Sequence, residues 1–289
     1  MTQVVTQSTT HSSSQIPNIL TIAGSDSGGG AGIQADIKAI SATGGFACSA
    51  ITALTAQNTL GVRSIFPVSA EFIGQQLDAV FSDISISAVK IGMLNDSQII
   101  TAIAQKLRQY SVKNIVLDPV MVATSGDPLI QPEAIQTLKS EFIPLVDVIT
   151  PNLPEAGLLL GLPMPKSELE VEDFIKQIQS NSELNQVNVL LKGGHFTGEQ
   201  SQDWLIQQDK VSVYSHKRIQ TSNTHGTGCT LSSALASYLG QGYPLTDAVT
   251  AAKAYLSQAL VHANNLNVGQ GSGPVDHFYA IHQACDNKA

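Results

Sequence analysis

The sequence is poor in cysteine, aromatic and charged residues. Charged residues make up 13% of the 289 positions and aromatic residues 5%, and there are only three cysteines. Cys48, Cys229 and Cys285 lie far apart, are odd in number and show no CxxC spacing. This pattern indicates neither a disulfide framework nor a zinc site. We therefore expect a protein of the reducing cytoplasm.

Basic residues are also scarce. Fifteen Lys and Arg stand against 23 Asp and Glu, which gives a net charge of -8. This balance argues against nucleic acid or an anionic membrane surface as a partner. No apolar run approaches the ~20 residues of a membrane helix, so a soluble protein is expected. An anionic ligand would then have to be held locally, by backbone amides, a metal ion or single lysines.

The length and the 43% apolar content allow one large domain, which we place at residues 17–289. Residues 1–16 are rich in Thr, Ser and Gln. They lack the basic start and the apolar centre of a signal peptide. We expect them to form a flexible polar N-terminal tail.

Several nucleotide-binding and hydrolase motifs are absent. There is no Gly-Lys dipeptide, which excludes a Walker-type phosphate loop. The segment 30–35 fits the GxGxxA pattern, but no acidic residue lies between Asp36 and Glu71 to bind a ribose, so hydride transfer is disfavoured. The centre of the segment 24–28 is Asp26 instead of the serine of a nucleophile elbow.

Short β-branched runs alternate with helical patterns along the chain. This rhythm predicts an α/β fold with a mostly parallel central sheet and helices on both faces. The predicted strands are 19–23, 50–55, 88–91, 115–117, 146–149 and 187–191, and helices are predicted at 33–42, 97–109 and 133–142. A small antiparallel hairpin is predicted at 202–215. Two helices have apolar stripes that we expect to face the core: Ile99, Ile100, Ile103, Ala104 and Leu107, and Val249, Ala252, Leu256 and Leu260.

The segment His225-Gly226-Thr227-Gly228-Cys229-Thr230 precedes a helical run at 231–239. Its glycines let successive amides point into one concavity at a helix start, which is a favourable place for an anion. The positive end of the helix dipole should favour the thiolate of Cys229, which would then act as a base or nucleophile. A glycine loop that only caps a structural helix with a buried cysteine is the alternative.

Asn152 and Glu155 follow a predicted strand and are three residues apart. An amide and a carboxylate suit hydrated magnesium, which keeps most of its waters. The alternative is a capping box at a helix start. Asp118 ends another strand, and as a residue before proline it also fits a turn. Together, three such groups after neighbouring strands favour a magnesium site.

With these motifs placed, the chain resembles the hydroxymethylpyrimidine/phosphomethylpyrimidine kinases of thiamine biosynthesis, within the ribokinase-like superfamily. The resemblance runs from about Ile19 to the final helix and rests on ordered segments. These are 23–26, 29–36, 52–59, 90–94, 118–121, 125–129, 150–156, 191–196 and 225–232. It implies a ribokinase-like three-layer sandwich, ATP and magnesium as cofactors, an aminopyrimidine alcohol and its monophosphate as substrates, and a homodimer.

The resemblance also implies roles for individual residues. The pyrimidine site corresponds to Gly24, Asp36, Gln57, Met93 and Val120. Cys229 corresponds to the catalytic base, and Gly226, Thr227 and Gly228 to the backbone that stabilises the transferring phosphoryl group. Asp118, Asn152 and Glu155 correspond to the magnesium and ATP site, Lys192 to a phosphate ligand and Lys253 to a further ATP contact. Independently of the resemblance, a glutamine amide such as that of Gln57 can pair with the amino group and ring nitrogen of an aminopyrimidine.

Three other functions stay open on the sequence. Pyridoxal kinase activity is close in class, and the dipeptide Gln57-Asn58 disfavours it. A cysteine hydrolase would use Cys229 with His225 or His195 and would need no ATP. A non-catalytic pyrimidine sensor would bind ligand without releasing ADP.

Overall fold

A computed structural model describes residues 15–94, 96–121, 130–194, 196 and 198–286. The predicted tail lies outside the described residues except for its last two positions. The predicted motif at 125–129 and His195 also lie outside them. Among the described residues, no helix combines the length and apolarity needed to cross a bilayer.

Nine strands form one sheet. The strands are β1 (Asn18–Asp26), β2 (Phe46–Asn58), β3 (Gly61–Pro67), β4 (Ile86–Ile91), β5 (Ile115–Leu117), β6 (Val148–Ile149), β7 (Asn188–Lys192), β8 (Gln200–Ile206) and β9 (Val211–Lys217). Their order is β3-β2-β1-β4-β5-β6-β7-β8-β9. The pairs β2–β1, β1–β4, β4–β5, β5–β6 and β6–β7 are parallel. At one edge β3 pairs antiparallel with β2, and at the other edge β8 pairs antiparallel with β7 and with β9. The mostly parallel sheet and the hairpin near 202–215 are confirmed.

The helices cover both faces of this sheet. They are α1 (Gly32–Ala42), α2 (Ala70–Phe81), α3 (Ser97–Gln109), α4 (Pro132–Thr137), α5 (Leu153–Leu160), α6 (Glu168–Ser180), α7 (Thr227–Gly240), α8 (Leu245–Val261) and α9 (Tyr279–Asp286). Strand side chains alternate between two cores, as the two-residue period of a strand requires. Leu20 and Ile22 pack with α2 and α3, whereas Ile19 packs with α1, α7 and α8.

The structure differs from the predicted elements at one strand and three helices. Strand β3 and its hairpin with β2 were not predicted, because outward side chains such as Phe66, 70% exposed, break the buried alternation. Helices α2 and α6 were not predicted either. The predicted helix 133–142 is α-helical only to Thr137, continues as a π-helical turn at Leu138–Phe142 and ends in a 3-10 turn around Pro144.

The apolar stripe of α3 is buried as predicted. The stripe of α8 is only half as predicted. Val249 and Ala252 are buried in the core, but Leu256 and Leu260 line the cavity described below. The same helical period therefore supplies both core packing and a wall of the site.

Candidate active site at the carboxyl edge of the sheet

A cavity of about 500 Å³ lies where the parallel strands end, which is the usual ligand position in such sheets. It brings together nearly all the predicted site residues. These are Gly24, Gln57, Met93, Asp118, Val120, Asn152, Glu155, Lys192, Gly226, Thr227, Gly228, Cys229 and Lys253. Asp36 is the exception, since it does not line the cavity.

Helix α7 begins at the predicted anion loop. Gly226 is its N-cap, with a φ of 80°, and packs so closely on the Gly30 carbonyl group that a Cβ atom would overlap it. The Thr227 amide donates to the Thr224 carbonyl. Within the described part of the chain, the amides of Gly228 and Cys229 donate to no protein acceptor. Two helical amides next to the cavity are thus available to an anion.

Several groups act on the pKa of the Cys229 thiol. The ammonium of Lys90 and the amide of Gly32, at the start of α1, lower the pKa of this thiol. Burial nevertheless raises its pKa to about 11, because the ammonium of Lys90 offsets only part of the penalty and Asp36 adds to it. This direction is opposite to the one expected from the helix start, so the thiolate of Cys229 stays a prediction.

Asp36 lies one layer below the cavity. Its side chain is fully buried and accepts hydrogen bonds from Lys90 at 2.8 Å, Thr21 at 2.6 Å and Ser233 at 2.7 Å. Because Asp36 does not line the cavity, its direct contact with the substrate stays a prediction. Asp36 instead neutralises Lys90, a fully buried lysine that lines the cavity beside Cys229.

The predicted magnesium residues meet around one lysine. Lys192 Nζ lies 2.9 Å from Asp118 Oδ1. Burial alone would lower the pKa of Lys192, but Asp118 and Glu155 raise it. Burial raises the pKa of Glu155 to about 7, Lys192 opposes this rise, and Asp118 adds to it. Asp118 therefore disfavours the charged form of Glu155, a condition that a bound cation would relieve.

Asn152 and Glu155 also form the alternative capping box of α5. The Asn152 side chain accepts from the Glu155 amide, and the Glu155 carboxylate accepts from the Asn152 amide, both at 2.8 Å. No group of three His, Cys, Asp or Glu able to hold a metal occurs in the described ranges. Two carboxylates still fit magnesium, which keeps several waters and takes few protein ligands. The cap positions Glu155 at the cavity.

The far half of the cavity is lined by α8 and the β8–β9 hairpin. Lys253 is buried there and pairs with Asp203, which also accepts the amide of Gly193. Leu256, Leu260 and Ile219 add an apolar wall. Lys253 is therefore at the cavity as predicted, although its ammonium already has a carboxylate partner.

Asp26 and His225 are two polar residues of the site whose roles the sequence did not reveal. The Asp26 carboxylate accepts the amides of Gly28 and Gly30 at 2.7 and 3.0 Å, and also that of Ala31. The first glycine loop thus wraps its own carboxylate, in keeping with its failure as a dinucleotide loop. An acidic residue at the start of a glycine-rich turn was the available signal.

Comparison with solved structures places this fold among the ribokinase-like small-molecule kinases. The chain is similar to pyridoxal kinase from Bacillus subtilis in an ADP complex, with a TM-score of 0.83 and 33% identity, covering 92% of this chain and 99% of that one. It is also similar to phosphomethylpyrimidine kinase from Clostridium difficile 630, with a TM-score of 0.74 and 43% identity, covering 84% and 99%.

The sequence comparisons define the family. The family model of phosphomethylpyrimidine kinase matches residues 26–276. Hydroxymethylpyrimidine/phosphomethylpyrimidine kinase of Escherichia coli strain K12 is 50% identical over 263 residues, covering 91% of this chain and 98% of that relative. The chain belongs to the phosphomethylpyrimidine kinase family.

Proposed function

We propose that this chain transfers the γ-phosphoryl group of ATP to 4-amino-5-hydroxymethyl-2-methylpyrimidine, and then a second phosphoryl group to the resulting monophosphate, in thiamine biosynthesis. One observation carries the proposal. A single cavity joins the anion-binding start of α7 to the amide of Gln57. Phosphoryl transfer depends mainly on positioning and charge stabilisation, which these two ends supply.

The ring end of the cavity suits a flat aminopyrimidine. Gln57 offers a donor and an acceptor side by side, and Met93 and Val120 add apolar contacts. Gly24 makes room for this arrangement, since a Cβ there would lie 2.9 Å from Met93 Cε. We assign the ring to these four residues.

The phosphate end suits a triphosphate. The amides of Gly228 and Cys229 and the ammonium of Lys192 would stabilise charge on the transferring group. Asp118 and Glu155, with Asn152 holding Glu155, would bind magnesium, which supplies charge neutralisation for the phosphates. The apolar wall of Leu256, Leu260 and Ile219 would hold the adenine. Thr227 and Lys253 line the same cavity and would contact the ATP.

The two acceptors differ in their need for a base. The hydroxymethyl oxygen must lose a proton, and Cys229 is the group placed to accept it. A phosphate monoester is largely ionised at neutral pH, because its second pKa is about 6. Since burial raises the pKa of Cys229 to about 11, only a small thiolate fraction is available for the first step at neutral pH.

A homodimer is also part of the proposal. Strands β2 and β3 and helix α2 expose large apolar side chains, namely Leu54, Ile65, Phe66 and Phe72. A second copy would bury this surface. Sedimentation of the protein and of Phe66→Asp tests it: the protein should sediment as a dimer and the variant as a monomer, and a monomeric parent protein would contradict it. We also propose a cytoplasmic location, because ATP is available in the cytoplasm and the cysteines of the chain are free thiols.

A coupled ADP-release assay tests the function. We expect ADP release with the aminopyrimidine alcohol and with its monophosphate, and much slower release with pyridoxal. Faster ADP release with pyridoxal would favour the second candidate function, pyridoxal kinase, which the similarity to the pyridoxal kinase of Bacillus subtilis supports. Binding without ADP release would indicate a sensor, and a covalent thiol adduct without ATP would indicate a hydrolase.

A further inference from the structure

The imidazole of His225 lies between a carboxylate and the amide of Gln57. Its Nε2 atom is 2.9 Å from Asp26 Oδ2 and 3.3 Å from the terminal amide of Gln57. Burial opposes ionisation of Asp26, but hydrogen bonds from His225 and from the amides of Ala31 and Gly28 lower its pKa below the ordinary value. Asp26 is thus a carboxylate at neutral pH and accepts hydrogen bonds only.

The proton of His225 follows from this contact. A carboxylate 2.9 Å from Nε2 requires that Nε2 carry hydrogen. An N–H group cannot accept from the NH₂ group of Gln57. The atom of Gln57 that faces His225 is therefore the oxygen Oε1, since the two ends of a side-chain amide have the same shape and the hydrogen-bond network decides between them.

The other end of the amide agrees with this assignment. Thr55 Oγ1 donates to the Ser25 carbonyl at 2.8 Å, and it lies 3.3 Å from the second terminal atom of Gln57. A hydroxyl that already donates its hydrogen has only lone pairs left to offer. The Gln57 atom facing Thr55 must then be the donor Nε2. This orientation places an acceptor beside the Nε2–H group of His225, which Gln57 shares with Asp26, and a donor beside Thr55 Oγ1. The reversed orientation places a donor against an N–H group and an acceptor against a hydroxyl whose hydrogen is already used.

We propose that His225, held by Asp26, is a positioning residue that fixes the Gln57 amide with Oε1 on the His225 side and thereby sets which way round the pyrimidine binds. This inference rests on the proposed function. The 4-amino group of the substrate donates, and the adjacent ring nitrogen accepts. With this amide orientation, the amino group lies on the His225 side and the ring nitrogen on the Thr55 side.

The orientation decides where the reacting oxygen lies. In the aminopyrimidine alcohol the hydroxymethyl group is on the ring carbon next to the amino group. It therefore also lies on the His225 side, where the chain continues directly into Gly226 and Cys229. The reversed amide would turn the ring over and move the hydroxymethyl group away from the phosphoryl-binding amides.

Steady-state kinetics of His225→Phe, Gln57→Ala and the double variant test this coupling. For the aminopyrimidine alcohol, we expect His225→Phe to lower kcat/KM about tenfold or more in the parent protein, because a satisfied hydrogen-bond network is lost. In the Gln57→Ala background, the same change should cost less than about threefold. The KM for ATP should stay within about twofold of the parent value. His262→Phe, at the partly exposed residue that caps the end of α8, is the matched control.

Equal losses in both backgrounds, or a parallel rise in the KM for ATP, would mean that His225 only supports the loop, and would overturn the proposal. Nitrogen NMR of the parent protein gives an independent readout that needs no variant to fold. We expect a protonated Nε2 on His225, and an unprotonated Nε2 would overturn the inference. If the parent protein does not phosphorylate the aminopyrimidine alcohol at all, the proposed function fails, whereas the NMR result still decides the state of His225.

Discussion

Replacing Gly226 with alanine should damage both stability and phosphoryl transfer. Gly226 has a φ of 80°, and a left-handed conformation costs a residue with a side chain roughly 1–2 kcal/mol. A Cβ there would also overlap the Gly30 carbonyl oxygen and lie 2.9 Å from the carbonyl carbon. These are backbone atoms, so the two glycine loops must move apart. We expect a total loss above about 3 kcal/mol.

Gly242→Ala separates the two contributions. Gly242 has a φ of 87°, but nothing lies within 4 Å of a Cβ built there. Its substitution should cost only the conformational part, roughly 1–2 kcal/mol, and leave phosphoryl transfer intact. Urea unfolding gives the two free energies, and ADP release gives the activities. If Gly226→Ala unfolded no more easily than Gly242→Ala and kept its activity, the packing of the two loops would not matter for the site.

Three further changes probe the charges around the cavity. Lys90→Met should cost about 3–5 kcal/mol because it leaves Asp36 buried without a cation. Lys106→Met, in a more exposed ion pair, should cost far less in the same urea titration. Burial raises the pKa of Glu155 to about 7, so the native state loses stability as pH rises through 7. Glu155→Gln should therefore melt at a higher temperature than the parent protein at pH 8 but not near pH 5. An equal difference in melting temperature at both pH values would contradict the raised pKa. Cys229→Ala should slow phosphorylation of the alcohol more than that of the monophosphate. A thiol pKa of about 11 predicts that the rate of alcohol phosphorylation rises between pH 7 and 9, and the substitution should remove this rise. Equal losses in both steps would count against Cys229 as base.

The helices and strands whose buried apolar residues recur at a regular spacing were predictable from sequence. Helix α3 and strand β5 have the bounds that their apolar patterns predict. Strand β3 was not predictable in this way, because its side chains are half or fully exposed and leave no alternation. Leu256 and Leu260 show the limit of the rule, since a helical stripe does not tell whether it faces a core or a cavity.

The parts of the site that depend on short sequence motifs were predictable. The positions and pKa values that depend on burial in the folded protein were less so. The anion loop and the carboxylates after neighbouring strands meet in one cavity, because parallel strands end at one edge. Asp36 is held below the cavity by its ion pair with Lys90, far along the chain, and the raised pKa of Cys229 results from its burial in the folded protein. Sequence spacing alone does not give those distances.

A crystal structure of the protein with a non-hydrolysable ATP analogue and the aminopyrimidine alcohol tests the central claim most directly. We expect the terminal phosphate at the amides of Gly228 and Cys229, the ring edge on Gln57, and the hydroxymethyl oxygen in line with the phosphorus. Ligands bound in separate places, or a hydroxymethyl group directed away from the start of α7, would contradict the account.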